Sequence, residues 1–180
     1  MSSAPDQLET VRAFVNTTDL EEGSDELATP SALIAWFSER TLIESEAEAS
    51  ERDLERSRAL REALRALLYA NSGGELDSKA PEVLDATAER AGLRLRFDAD
   101  GGASLIPSAS GVDGAHGRLL AIVAEAMRSG TWERLKACRS DDCRWAFFDA
   151  SKNHSRAWCS MAVCGNRAKA RAFRERQAET

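Results

Sequence analysis

The sequence predicts an α+β fold, predominantly helical: a helical N-terminal part with a small β-hairpin, then a C-terminal four-cysteine module made of a hairpin followed by a helix. Three observations carry that reading. Apolar residues recur at helical spacing through most of the first 136 positions, one short stretch from Leu93 to Phe97 alternates instead, and all four cysteines fall between Cys138 and Cys164.

The elements follow in chain order. Leu8, Val11, Phe14 and Val15 sit at helical spacing and stop at Asn16 and Thr17. After an acidic stretch containing Gly23, Thr29 as N-cap and Pro30 in the first turn open a second helix, whose Leu33, Ile34, Trp36 and Phe37 belong to the core. From about Ser45 to Asn71 one long amphipathic helix is expected, with Leu54, Leu60, Leu64, Leu67 and Leu68 on one side and Gly73 and Gly74 as stop signals. Its Glu and Arg residues make a solvated face, because no heptad is sustained across it.

Pro81 opens and Gly92 closes a shorter helix. Leu93, Leu95 and Phe97 then alternate with polar residues up to a turn at Asp100, Gly101 and Gly102, which reads as a β-hairpin with one buried face. A further helix runs from around Asp113 to Arg128, with a stripe of Leu119, Leu120, Ile122, Val123, Ala126 and Met127, and Ser129-Gly130 interrupts it. The composition changes just before Cys138, so the boundary is set near 136: a body of residues 1–136 and a module of 137–180.

Composition narrows the class. With 43% hydrophobic and 30% charged residues the chain has the balance of a folded globular protein rather than a disordered tail. No apolar run has the roughly 18 residues of a membrane span. The start MSSAPDQLET has neither the basic residues nor the apolar stretch of a secretory signal, so the expected compartment is the cytoplasm, without membrane contact. The net charge of −6 is unevenly divided: from Cys138 onward nine Lys or Arg face five Asp or Glu, leaving 15 against 25 before it. An acidic body carries a basic end, and a polyanion site, if present, belongs there.

The cysteines come as Cys138-x4-Cys143 and Cys159-x4-Cys164, two equal pairs with fifteen residues between. In a compartment that keeps thiols reduced, this pattern points to metal rather than to disulfides. Two short-range pairs supply four corners of a tetrahedron without threading the chain, which is the donor set of structural Zn2+. Four thiolates leave no open position for water, so His154 is expected as a turn residue rather than a ligand, and the ion as structural rather than catalytic. Trp145, Phe147, Phe148 and Trp158 supply the small apolar core, stacking on bases being the alternative use for such aromatics. RWAFFD and SRAWCSM are expected to pair across the turn SKNH.

A final helix starts at or near Cys164. At about 100° per residue Arg167, Arg171 and Arg174 share a narrow arc, with Asn166, Ala170 and Phe173 on a side left for packing. Guanidinium forks suit phosphates and guanine edges, so this row is a candidate DNA surface that Lys152, Arg156 and Lys169 extend. A merely solvated basic end is the plainer alternative.

The stretch from Cys143 to Arg176 resembles the C-terminal module of the bacterial CGNR zinc-finger family, whose tetrad stands here as Cys164, Gly165, Asn166 and Arg167. The resemblance rests on the four cysteines, Phe148-Asp149-x-Ser151, Arg156, Trp158-Cys159-Ser160-Met161 and the basic helix, with Phe14-Val15-Asn16-Thr17 as a weaker match near the start. It implies zinc on Cys138, Cys143, Cys159 and Cys164, DNA contact at Arg167, and a ligand-sensing domain called ABATE in front of the finger. Arg171 and Arg174 rest on helix geometry alone. Gly165 is expected to ease a tight turn around the metal and Asp149 to hydrogen-bond within the finger.

The expected function is that of a zinc-dependent, DNA-binding stress regulator of transcription, its partners DNA and a small-molecule effector at the body, with a homodimer among the admissible states. A protein-interaction module and a thiol–zinc redox switch are the rivals. No enzyme is expected, since no glycine-rich phosphate loop, nucleophile elbow or partnered histidine is legible.

Overall fold

The structure, a computed structural model, describes residues 6–44 and 46–178. Helices α1 (Asp6–Val15), α2 (Pro30–Glu39), α3 (Glu51–Asn71), α4 (Ala80–Ala91) and α5 (Gly111–Arg128) build the body, and α6 (Asn166–Ala178) ends the chain. Three antiparallel two-stranded ribbons join them: β1 (Thr18–Asp19) with β2 (Ser24–Asp25), β3 (Arg94–Phe97) with β4 (Ala103–Ile106), and β5 (Leu135–Ala137) with β6 (Ala146–Phe148). The fold is α+β and mostly helical. Among the described residues no helix is long and apolar enough to cross a membrane.

The helices start where local chemistry directs. Thr29 Oγ1 accepts the amide of Ala32 with Pro30 in the first turn of α2. At α3, Ser50 and Asp53 exchange side-chain and backbone bonds in a capping box. That cap corrects the expected start near Ser45, which itself lies outside the described residues: 46–50 are not helical, because the reciprocal bonds at Ser50 fix the first turn there. Gly92, at φ 58°, ends α4 in the left-handed conformation that its position in the sequence predicts.

Phe14, Phe37, Leu60, Leu64 and Leu119, all fully buried, bring α1, α2, α3 and α5 to one core. Phe14 stacks on Phe37 with centroids 5.9 Å apart, and Trp36 packs on Phe14 at 5.4 Å as expected of a core aromatic. Gly114 and Gly117 let α5 come close to its neighbours: a Cβ on Gly114 would lie 2.6 Å from the Ala109 carbonyl oxygen, and one on Gly117 would lie 2.7 Å from Pro107 Cβ.

Two strand expectations need correction. The β3–β4 hairpin has no buried face: Leu95 is 56% exposed and Phe97 70%. A groove of about 1110 Å3, lined among others by Leu95, Leu105 and Ile122, stands between the hairpin and α5, so this apolar face finds no cover among the described residues. The strand β6 pairs with β5 and not with SRAWCSM, in the register Leu135↔Phe148, Lys136↔Phe147, Ala137↔Ala146. The first cysteine pair reverses the chain, so its two flanks meet, and the Cys138 amide extends the ladder by donating to Trp145 O at 2.9 Å.

This last ribbon is built into the body. Leu135, Ala137 and Ala146 belong to the main core. Asn16 holds Ala146 by both backbone groups, its Nδ2 donating to the carbonyl at 2.9 Å and its Oδ1 accepting the amide at 2.7 Å. From α3, Asn71 donates to Trp132 O and Leu135 O, Ser72 to Ala137 O, and Arg65 to Val15 O and Arg144 O. Each bond satisfies a backbone group at the edge of the core, a carbonyl in every case but the Ala146 amide, and an unmet one costs about 1–3 kcal/mol.

Candidate metal centre

Cys138 follows β5 directly, and Cys143 is brought back by a turn in which the amides of Cys143 and Arg144 both donate to Ser140 O at 3.0 Å. Arg144 takes φ 50° to leave that turn. Cys159 ends an extended segment tied down by the Arg139 amide, which donates to Ala157 O, and by Arg156, whose guanidinium donates to Cys159 O at 2.8 Å. Cys164 lies in a single π-type turn, Met161–Gly165, that Ser160 caps at Val163 and that runs straight into α6. Gly165 has no unusual φ, and a Cβ there would meet only the movable, exposed side chain of Met161, so the turn around the cysteines does not itself require a glycine at this position.

The four sulfurs all lie within 4.8 Å of one another, and none is in a disulfide. Cys143 and Cys159 are 3.6 Å apart, Cys159 and Cys164 3.7 Å. Zinc–sulfur bonds of about 2.3 Å at tetrahedral angles put sulfurs roughly 3.8 Å apart, so the set fits one Zn2+. The acid–base chemistry agrees. Hydrogen bonds from the thiols of Cys143 and Cys159 push Cys138 far down, while the same contact with Cys138 pushes Cys143 and Cys159 up. Sulfurs this close oppose one another's ionisation, and a divalent cation between them lets all four ionise. Trp145 and Trp158 pack against the cluster, as expected of a small core. Phe147 instead lies under Arg156, and Phe148 joins the body's core.

A buried ion pair braces the same module. Lys136 Nζ contacts Asp149 Oδ2 at 2.8 Å and also donates to the carbonyls of His154 and Arg156. Asp149 further accepts the amides of Ser151 and Arg156, so it does bond within the finger. Burial alone would raise its pKa, but the bonds from Lys136 and Ser151 outweigh that and hold it below the usual carboxylate range. His154 is an exposed turn residue at φ 50°, outside the sulfur cluster.

The basic residues are spread over the surface beyond the metal. Arg167 and Arg171, each 57% exposed, meet acids: Arg167 lies 2.6 Å from Glu21 in the β1–β2 turn, Arg171 3.6 Å from Asp142. Arg174 donates to Ala170 O within α6. Lys152 and Lys169 are exposed with no ion pair among the described residues, whereas Arg156 is committed to the carbonyls of Trp158 and Cys159. The side of α6 reserved for packing is bare, Phe173 being 57% exposed, because the helix leaves the metal cluster without another element to lie on.

Sequence reasoning missed a polar cluster between α3 and α5. His116 is fully buried, its Nε2 2.8 Å from Ser57 Oγ and its ring edge-on to Phe37. Burial, then the charges of Arg56 and Arg90, lower its pKa to about 3. The available signal was the pair Gly114 and Gly117 flanking it, which marks a closely approached helix. For the Glu21–Arg167 contact no sequence signal exists.

Comparison with known families bears on both halves. The model described as "Putative stress-induced transcription regulator", ABATE, matches residues 9–128, and that of the CGNR zinc finger matches 134–177. No curated protein matches the chain. With most of the body and nearly all of the cysteine module accounted for in this order, the chain belongs to the ABATE family and ends in a CGNR zinc finger.

Proposed function

We propose that this chain is a cytoplasmic bacterial stress regulator of transcription, in which the body (1–136) senses a small molecule and the zinc-stabilised end (137–180) binds DNA. The observation that carries it is α6, which presents five cations against one acid beyond a four-sulfur metal centre. Metal binding fixes the start of that helix, so its arginines meet phosphate oxygens at little further ordering cost. In this reading Arg167, Arg171 and Arg174 make the central contacts, Lys169 and Lys152 extend them, and Arg156 adds charge while holding its loop. Titrating duplex DNA at rising salt tests it: each phosphate contact contributes a log–log slope of about −0.9. Replacing Arg167 and Arg171 together flattens that slope by about two such steps. A slope near zero in the parent protein overturns the reading.

A second reading has its own observation. Phe173, exposed among the arginines, gives α6 an apolar knob of the kind that enters a groove on an acidic partner protein. Phe173→Ala leaves DNA affinity unchanged under the first reading and abolishes partner capture under the second.

A further inference from the structure

We propose that Glu21 restrains DNA binding from within the chain, its carboxylate occupying the edge of the Arg167 guanidinium that a phosphate would otherwise take. The inference rests on the DNA reading of α6 and adds its regulation. Arg167 Nη1 lies 2.6 Å from Glu21 Oε1, a contact between positions 146 residues apart that ties the start of α6 to the β1–β2 turn of the body. Carboxylate and phosphate oxygens make the same charge-assisted bonds to a guanidinium, so at one edge of the fork each excludes the other.

The carboxylate is delivered by a turn that is itself held in place. Asp19 Oδ1 accepts the amides of Glu21 and Glu22 at 2.8 and 3.0 Å, Thr18 Oγ1 donates to Ser24 O at 3.1 Å, and Gly23 reverses the chain at φ 68°. At the foot of the turn Asp25 meets Arg61 of α3 fork to fork, Nη1 to Oδ1 at 2.8 Å and Nη2 to Oδ2 at 2.9 Å, and Arg61 is buried. Glu21 therefore faces Arg167 at the high effective concentration of a group on the same chain. Arg171 also has an acid, Asp142 at 3.6 Å, but Asp142 belongs to the first cysteine turn and moves with the finger. Among the described residues Glu21 is thus the acid through which the body bears on this row of arginines. The grip on Arg167 follows the position of the β1–β2 turn and, through Arg61, that of α3.

Anisotropy of a fluorescent duplex of mixed sequence, titrated at low salt with the full-length, zinc-loaded chain, provides the test. Glu21→Gln tightens binding about three- to fivefold, the range of an exposed ion pair. Glu22→Gln makes the same change of charge one residue away, where the side chain is exposed and unpaired among the described residues, and its effect is no more than about half as large. The gain at Glu21 shrinks as salt screens the pair, and in an Arg167→Gln background it falls to that of Glu22→Gln. All three side chains are exposed, so zinc content and helical circular dichroism of each variant match the parent's. If the parent binds DNA and Glu21→Gln binds no tighter than Glu22→Gln, or keeps its gain without Arg167, the restraint is overturned while the DNA reading stands. If the parent shows no salt-dependent binding, the DNA reading falls and the restraint with it.

Discussion

The core around Phe14, Phe37 and Leu64 and the cluster of four sulfurs are two answers to the same difficulty, that of holding a chain against its own entropy. The first gathers apolar side chains from α1, α2, α3 and α5 and is non-directional. The second has, among the described residues, Trp145 and Trp158 packed on it and offers four sulfurs for directional bonds to one ion. The boundary between them does not coincide with the start of the cysteines. Strands β5 and β6 carry the cysteine turn yet bury Leu135, Ala137 and Ala146 in the first core. One small element is thus stabilised by area at its base and by metal at its tip.

Removing the metal separates the two most sharply. Structural zinc contributes about 10 kcal/mol or more to a module of this size. Chelation is expected to strip hydrogen-exchange protection from α6 and the cysteine turns while α1 to α5 retain theirs; equal loss in both would mean that the ion supports the whole chain. The converse cut is Phe14→Ala, with an expected loss of about 3–5 kcal/mol of body stability in a urea melt. Zinc content, measured colorimetrically on the folded variant, should stay at one ion per chain. Between these lies Asn16→Ala, which leaves the buried amide and carbonyl of Ala146 without their partner and costs about 1–3 kcal/mol. Because that bond joins both regions, the variant should release zinc to a chelator faster than the parent, as well as melting earlier.

The gentlest probe is pH. His116 is neutral in the folded body, its pKa lowered to about 3 by burial, while in the unfolded chain it protonates near its ordinary 6.5. Protons therefore bind the unfolded state preferentially between those values, and body stability falls by about 1.4 kcal/mol for each unit below pH 6.5. His116→Gln removes this dependence, read as the difference between urea midpoints at pH 7 and at pH 5.5. An unchanged difference would show that other groups carry it.

What the sequence made legible follows the range of the interactions. The cysteine pairs, the cap at Thr29, the Gly92 stop and the order of the helices are encoded within a few residues, and each is found where the spacing puts it. The start of α3 was misplaced because alanines and glutamates before Ser50 have helix propensity, which the capping box at Ser50 and Asp53 overrides. The partner of β6 was misassigned because two neighbouring segments compete for it, and the winner depends on how the first cysteine turn reverses the chain. Alternation at Leu95 and Phe97 announces a strand but carries no information on what, if anything, covers it. For the basic helix, residue order gives the arc of arginines but not Glu21, which arrives from 146 positions away.

The double bond between Asn16 and the Ala146 backbone also bears on how such proteins can be taken apart. A fragment cut at the start of β5 would forfeit Asn16, Arg65, Asn71 and Ser72 together, leaving its strands with raw edges and greasy undersides. The end of this chain is therefore no portable cassette. Chimeras that exchange it between relatives should carry the matching first helix along with it, or they will compare misfolded grafts rather than binding preferences.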